Sequence, residues 1–262
     1  MIGIPVRSDE QIECIRDCNA RLGKMLDELV NLVKPGVTTA YLNDEAERLI
    51  EKLGCRPNFK GYEGFPAAIC ASVNEEVVHG IPSKSRVLKD GDILSIDAGM
   101  VLNGYHSDAA RTVGVGEISP ESKKLIAHTR SAFFAAMKAA RSGGRLYDIS
   151  NAVASYIEGT GEDYGIVREL TGHGIGTEMH EKPMIPNYHK SFRGPRLRKG
   201  NTLAIEPMIT MSRPEIEILE DDWTVVTSDG SWAAHYENTI LITDDYPEIL
   251  SMGDMEKELG YE

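Results

Sequence analysis

The sequence predicts an α+β fold made of two similar halves. Three observations carry that expectation. Gly91-Asp92-Ile93-Leu94-Ser95-Ile96-Asp97 is echoed 109 positions later by Gly200-Asn201-Thr202-Leu203-Ala204-Ile205-Glu206. His79-Gly80-Ile81 returns as His173-Gly174-Ile175, and His106-Ser107-Asp108 as His235-Tyr236-Glu237. Finally, two stretches of helical periodicity precede alternating, extended segments in each half, 8–118 and 119–250. Together the halves read as one domain over 1–262, antiparallel sheets flanked by helices.

Taken in order, Ser8 caps a first helix, and Gln11 three residues on completes a capping box. Ile12, Ile15, Leu22, Met25, Leu26, Leu29 and Val33 keep helical spacing until Pro35-Gly36. A second helix follows Thr38 or Thr39, carries Leu42, Ala46, Leu49, Ile50 and Leu53, and stops at Gly54. Residues 92–101 and 105–114 alternate as strands around Asn103-Gly104, a two-residue hairpin signal. Ser119 and Pro120 start the third helix, which runs toward Arg141-Ser142-Gly143-Gly144. A fourth helix carries Ile149, Val153 and Ile157 and breaks at Gly159. Residues 202–211, 216–227 and 235–243 read as extended, with a turn at Asp229-Gly230.

The chain of 262 residues carries a net charge of -13, which argues against a duplex nucleic acid partner. It has no apolar run long enough to span a bilayer, and its start does not read as a signal peptide. Cys14, Cys18, Cys55 and Cys70 form no zinc spacing, so a reducing cytoplasm is the expected setting.

The repeat brings acids together. A hairpin turning at Asn103-Gly104 pairs Leu102 with Tyr105, which sets Asp97 opposite Ala110 and Asp108 opposite Gly99. Asp97 and Asp108 are then diagonal neighbours on one face, about 7–8 Å apart. Asp97 and Glu206 both sit in apolar runs, where a carboxylate is costly to bury without a cation. Asp97, Asp108, Glu206 and Glu237 with one or two histidines exceed what one ion needs. Such a set suits a pair of manganese, iron, cobalt or zinc ions sharing an activated water, which predicts hydrolysis. His79, His173 and His180 lie in glycine- and proline-punctuated segments that read as loops entering a cleft. His106 and His235 are expected to support the acids from behind, and His128 and His189 to be bystanders.

Four segments then carry a family resemblance: Cys70-Ala71-Ser72-Val73-Asn74-Glu75-Glu76-Val77-Val78-His79-Gly80-Ile81-Pro82, Ser95-Ile96-Asp97-Ala98-Gly99, Thr171-Gly172-His173-Gly174-Ile175-Gly176 and Ile205-Glu206-Pro207. They resemble type I methionine aminopeptidases, in the short form without a zinc-binding N-terminal extension, over essentially the whole chain. The resemblance implies a pita-bread fold with pseudo-twofold-related halves around a dinuclear centre. It implies Asp97, Asp108, His173, Glu206 and Glu237 as metal ligands, Asp108 and Glu237 bridging. A bridging hydroxide would attack the carbonyl of an N-terminal methionine followed by a small residue. Glu206 would handle protons, His180 would bond the scissile carbonyl, and His79 would contact the scissile nitrogen. The methionine pocket maps onto Phe59, Tyr62, Phe65, Cys70, Met179 and Trp223. Asn74 falls where some relatives help hold a monovalent cation, and the bulky Ile2 predicts that the chain keeps its own Met1.

The resemblance implies nascent polypeptide N-termini as partners and a monomeric, cytoplasmic enzyme. The basic stretch 189–199 suggests a transient ribosome contact. The competing readings are a proline-directed aminopeptidase or prolidase of the same fold and a non-catalytic pita-bread binding protein. The first usually carries an additional N-terminal domain, and the second typically loses metal ligands.

Overall fold

The computed structural model describes residues 3–258, with the backbone alone for Glu256 and Glu258; the expectation about Met1 and Ile2 lies outside the described residues. Helix α1, Asp9–Val30, starts at the predicted capping box: Ser8 Oγ accepts from Gln11 N and Gln11 Oε1 from Ser8 N. It ends at Val30, and Leu32 and Val33 continue only as a hydrogen-bonded turn. Helix α2 spans Thr39–Lys52 behind a Thr38 cap. Helix α3, Pro120–Ala139, has Ser119 accepting from Ser122 N, and α4 spans Leu146–Gly159.

The main sheet has nine strands among the described residues. Its path runs Arg56–Pro57, Ile93–Leu102, Tyr105–Gly114, Glu237–Leu241, Thr202–Ile205, Gly172–Gly174, Glu181–Ile185, with Ile69–Val73 also paired to Ile93–Leu102 and Glu248–Ile249 to Glu237–Leu241. The predicted hairpin register holds throughout: Leu102 pairs Tyr105, Asp97 pairs Ala110, and Gly99 pairs Asp108. Asn103 and Gly104, at φ 53 and 80, supply the left-handed residues such a turn needs.

Strand alternation assigns the two faces of this sheet. Leu94, Ile96, Ala98 and Met100 turn to one side and pack with Cys18, Leu22, Leu26 and Leu42 of α1 and α2. Leu203, Ile205 and Ile240 pack in a second core with Leu125, Phe133, Ile149 and Val153 of α3 and α4. The helices thus cover one face, and Asp97, Asp108 and Glu237 are left on the other.

Three extended runs are interrupted. Residues 202–211 divide into Thr202–Ile205 and Met208–Thr210 because Glu206-Pro207 leaves the ladder, proline having no N–H to give it. Residues 235–243 divide at Tyr236, whose N–H turns instead to Pro207 O. Residues 216–227 form a hairpin, Ile216–Ile218 against Val225–Thr227, turning at a left-handed Asp222. All four cysteines are free, and no helix of the described residues is long and apolar enough to cross a membrane.

Candidate metal centre

Register brings the acids together. One row across the sheet runs Cys70, Asp97, Ala110, Glu237, and residues opposite one another share a face. Glu206 follows Ile205, the partner of Asn238, and so leaves its strand beside Glu237. The neighbouring row holds Gly99 opposite Asp108, and His173 pairs with Ala204. Small residues at Gly99, Ala110 and Ala204 leave the space above the sheet to the functional side chains. Gly99 is forced: a Cβ there would lie 2.7 Å from Ser107 O and 2.8 Å from Asn58 Nδ2.

The acids are buried: Asp97 is 9% exposed, Asp108 4% and Glu237 2%, while Glu206 is more open with 14% of its side chain exposed. Desolvation, the leading cause in every case, pushes all four carboxyls upward in the metal-free protein. Asp97 rises to about 7, and Asp108, Glu206 and Glu237 stand well above the usual carboxylate range, with repulsion between neighbouring acids adding to burial. Asp97 Oδ1, Asp108 Oδ1 and Glu237 Oε1 are buried without a hydrogen-bond partner among the described residues. Aligned acceptors with nothing to accept from are what a cation site requires.

His173 fits the same use. Its Nδ1 faces Gly174 O at 2.9 Å, and a carbonyl can only accept, so the neutral ring carries its proton there. The bare Nε2 then points at the acids, 3.6 Å from Glu206 Oε1 and 3.9 Å from Asp108 Oδ2 and Glu237 Oε1. Burial lowers this histidine to about 3, which keeps it neutral and available to a metal. Candidate ligand atoms of Asp97, Asp108 and Glu237 lie within 4.8 Å of one another, as do those of His173, Glu206 and Glu237, and those of Asp108, His173 and His180. The donor set is compatible with a divalent metal.

The remaining predicted residues meet at one cleft of about 270 Å³. Phe59, Tyr62, Phe65, Cys70, His79, Met179, His180 and Trp223 line it together with Asp97, Asp108, Glu206 and Glu237. Phe59, Phe65, Cys70 and Met179 form its buried apolar part, and Phe65 meets Trp223 edge-on at 5.1 Å. His79 sits at φ 60, a conformation a histidine adopts at a cost of order 1 kcal/mol. Gly80 makes that position possible: a Cβ there would lie 2.7 Å from Ala71 O. Burial, chiefly, lowers His79 to about 4.

Two expectations need correction. His173 lies in the strand Gly172–Gly174, whereas His79 and His180 lie outside strands. His106 does not support the acids: its Nδ1 is 2.6 Å from Asn58 Oδ1, and only its sequence counterpart His235 reaches the cluster. His235 Nε2 stands 3.8 Å from Glu206 Oε2 and Glu237 Oε2. The Asn74 side chain is engaged within the chain, its Oδ1 accepting from Ile93 N and its Nδ2 donating to Asp92 Oδ1.

Sequence reasoning missed Arg111 altogether. This guanidinium, 6% exposed, lies on the helix side of the sheet. It donates to Ala110 O, Glu237 O, Asn238 Oδ1 and Ser251 O at 2.6–3.2 Å, placing one fixed positive charge behind the acids. A charged residue in the run Ala109-Ala110-Arg111-Thr112-Val113 was the available signal.

Comparison with known proteins agrees with this geometry. The model of metallopeptidase family M24 matches residues 13–244. The chain belongs to metallopeptidase family M24. Within it, the chain is 53% identical to methionine aminopeptidase of Clostridium acetobutylicum over 95% of this chain and 99% of that protein. Against the crystal structure of methionine aminopeptidase from Thermotoga maritima the TM-score is 0.92 at 41% identity, covering 95% and 99% of the two chains. This M24 metallopeptidase is therefore a hydrolase of the methionine aminopeptidase type, with the pita-bread α+β fold. Prolidase from Pyrococcus furiosus shares the fold at a TM-score of 0.76 and 23% identity, with only 66% of its length covered.

Proposed function

We propose that this chain, acting as one catalytic domain of two halves, removes the N-terminal methionine from nascent proteins and peptides with a small second residue. The observation that carries the reading is the single cleft in which an apolar, aromatic-walled pocket adjoins the buried acids. A slot walled by Phe59, Phe65, Trp223 and Met179, with Cys70 and Tyr62 completing it, suits an unbranched thioether. The relatives' names agree with this substrate and do not favour the proline-directed alternative.

Asp97, Asp108, His173, Glu206 and Glu237 would hold two divalent ions, drawn from cobalt, manganese, iron or zinc. Asp108, His173 and Glu237 each fall into two of the three overlapping ligand groups, and of these only the two carboxylates carry a second oxygen to offer, which supports their reading as the shared ligands. When bound, the ions supply Lewis acidity and a water acidified toward neutral pH. Glu206, the least enclosed of the four acids, takes the proton of the attacking water and returns it to the departing amine. His180, at the mouth of the cleft, donates to the scissile carbonyl oxygen as it gains charge, and His79 contacts the scissile nitrogen. Trp223 stands edge-on to His79 at 6.3 Å, so the pocket wall also positions that ring.

The test is methionine release from Met-Ala-Ser after chelation and readdition of single metals, with native mass spectrometry counting ions. Activity and two bound ions are expected for the wild-type chain and neither for Asp108→Ala. Activity that survives chelation, or preference for an Xaa-Pro peptide, refutes the reading. A monomeric, cytoplasmic enzyme is proposed with it. Ribosome contact through 189–199 is proposed more narrowly. There Arg193 is paired with Asp148 and Lys190 lies over the rings of Tyr147, Tyr188 and Phe192, so part of the charge is engaged within the chain. Cosedimentation unchanged on reversing Arg196 and Arg198 ends that proposal.

A further inference from the structure

Two histidines stand side by side at the centre, His173 and His180, with ring centroids 4.5 Å apart and planes at 82°. Geometry alone lets either ring serve a metal, because His180 forms a ligand group with Asp108 and His173. What differs is the partner at Nδ1. His173 Nδ1 faces the carbonyl of Gly174, which accepts only. His180 Nδ1 faces the phenolic oxygen of Tyr62 at 2.9 Å, and a phenol can donate.

We propose that Tyr62 is a positioning residue: its hydroxyl donates to His180 Nδ1, fixes the proton on His180 Nε2, and so makes this ring a hydrogen-bond donor rather than a metal ligand. Two arguments select that direction. If Nδ1 donated instead, the exposed Tyr62 hydrogen would have only solvent to turn to, since no other hydrogen bond of this hydroxyl is seen among the described residues. The bare Nε2 lone pair would also be left for the acid-lined cleft, where like partial charges repel. With the hydroxyl donating, an N–H is available on the side of the ring away from Tyr62. Edge-on contact between the two rings, centroids 5.4 Å apart at 71°, holds the orientation. Tyr62 thereby acquires a use distinct from filling the methionine pocket.

The inference rests on the proposed peptidase reading only for its kinetic consequence; the tautomer itself is measurable without substrate. Zinc-supplemented, ¹⁵N-histidine-labelled enzyme is compared with Tyr62→Phe, which keeps the ring and removes the hydroxyl. His180 is assigned by its absence from His180→Ala. The wild-type chain should show a pyridine-type Nδ1 and a pyrrole-type Nε2 at His180, and Tyr62→Phe a mixture or a zinc-shifted ring. On Met-Ala-Ser, kcat should fall on the order of tenfold with KM nearly unchanged, the loss of about one functional hydrogen bond. Adding Tyr62→Phe to His180→Ala should cost nothing further. A single Nε2–H tautomer persisting in Tyr62→Phe overturns the proposal. So does a loss confined to KM, or a full additional loss in the double variant. Absence of methionine release from the wild-type chain would count against the peptidase reading and leave the tautomer result standing.

Discussion

Replacing Asp97 by Asn should stabilise the chelated protein. Asp97 is 9% exposed, and burial lifts its carboxyl from 3.8 to about 7, against a hydrogen bond with Asp108 that pulls it down. The folded chain therefore binds this proton more tightly than the unfolded chain. That contribution to stability is fully present below pH 3.8 and is lost as the pH rises through about 7. The lost part amounts to about 4 kcal/mol at 1.36 kcal/mol per pH unit. Asn keeps the shape without the charge, but its buried amide, lacking full partners, returns roughly 1–2 kcal/mol of that gain. Urea unfolding in chelator at pH 8 should then show Asp97→Asn more stable by about 2–3 kcal/mol, a rise in Tm of roughly 5–10 °C. The difference should vanish near pH 5, and near pH 4 the variant should be less stable by about 1 kcal/mol, the cost of its amide alone. With a divalent ion added the order should reverse, since the wild-type chain gains binding energy that the variant lacks. A chelated variant no more stable than wild type at pH 8, or an increment unchanged at pH 4, would refute the claim that burial strains this carboxylate.

Three further outcomes are expected. Phe65→Ala, which opens the wall against Trp223, should lower kcat/KM for Met-Ala-Ser about 30- to 100-fold and leave zinc affinity by calorimetry unchanged. Gly99→Ala should cost about 1–3 kcal/mol in urea unfolding and weaken metal binding, because the new methyl meets Ser107 O and Asn58 beside Asp108. Arg7→Ala should cost about 3 kcal/mol and lower kcat. Its guanidinium pairs with Glu181, both side chains nearly buried, and donates to Ile175 O at 3.2 Å, tying down the hairpin that carries His173 and His180.

Local chemistry was legible and long-range completion was not. Ser8 with Gln11 and Ser119 with Pro120 announce helix starts because a cap acts over three residues. Asn103-Gly104 set the whole hairpin register because left-handed residues are needed only at the turn. From that register followed the shared face of Asp97 and Asp108, and the repeat extended it to Glu206 and Glu237. The breaks at Glu206-Pro207 and Tyr236 were harder to read. Both runs look continuous in hydrophobicity, and the interruption depends on Tyr236 N finding Pro207 O across the fold. The repeat also overreached at His106, whose partner Asn58 lies 48 residues away.

The same distinction explains why a pattern of acids can be seen while its electrostatic setting cannot. Each acid follows from strand alternation, a rule of period two along one segment. The forces on it come from other segments: Arg111 bonded to the Glu237 carbonyl behind the sheet, and Gly174 fixing the His173 tautomer in front. One positive charge behind four carboxylates leaves a deficit, and three buried carboxylate oxygens still lack a hydrogen-bond partner among the described residues. A fold that only needed stability would replace those acids with apolar residues of similar volume, which packing tolerates and desolvation favours. Retaining all four on the face opposite the helices, over Gly99, Ala110 and Ala204, holds room for cations at the expense of the metal-free state. The stability lost without metal and the capacity to bind it are thus one property, and Asp97→Asn should change both in opposite directions.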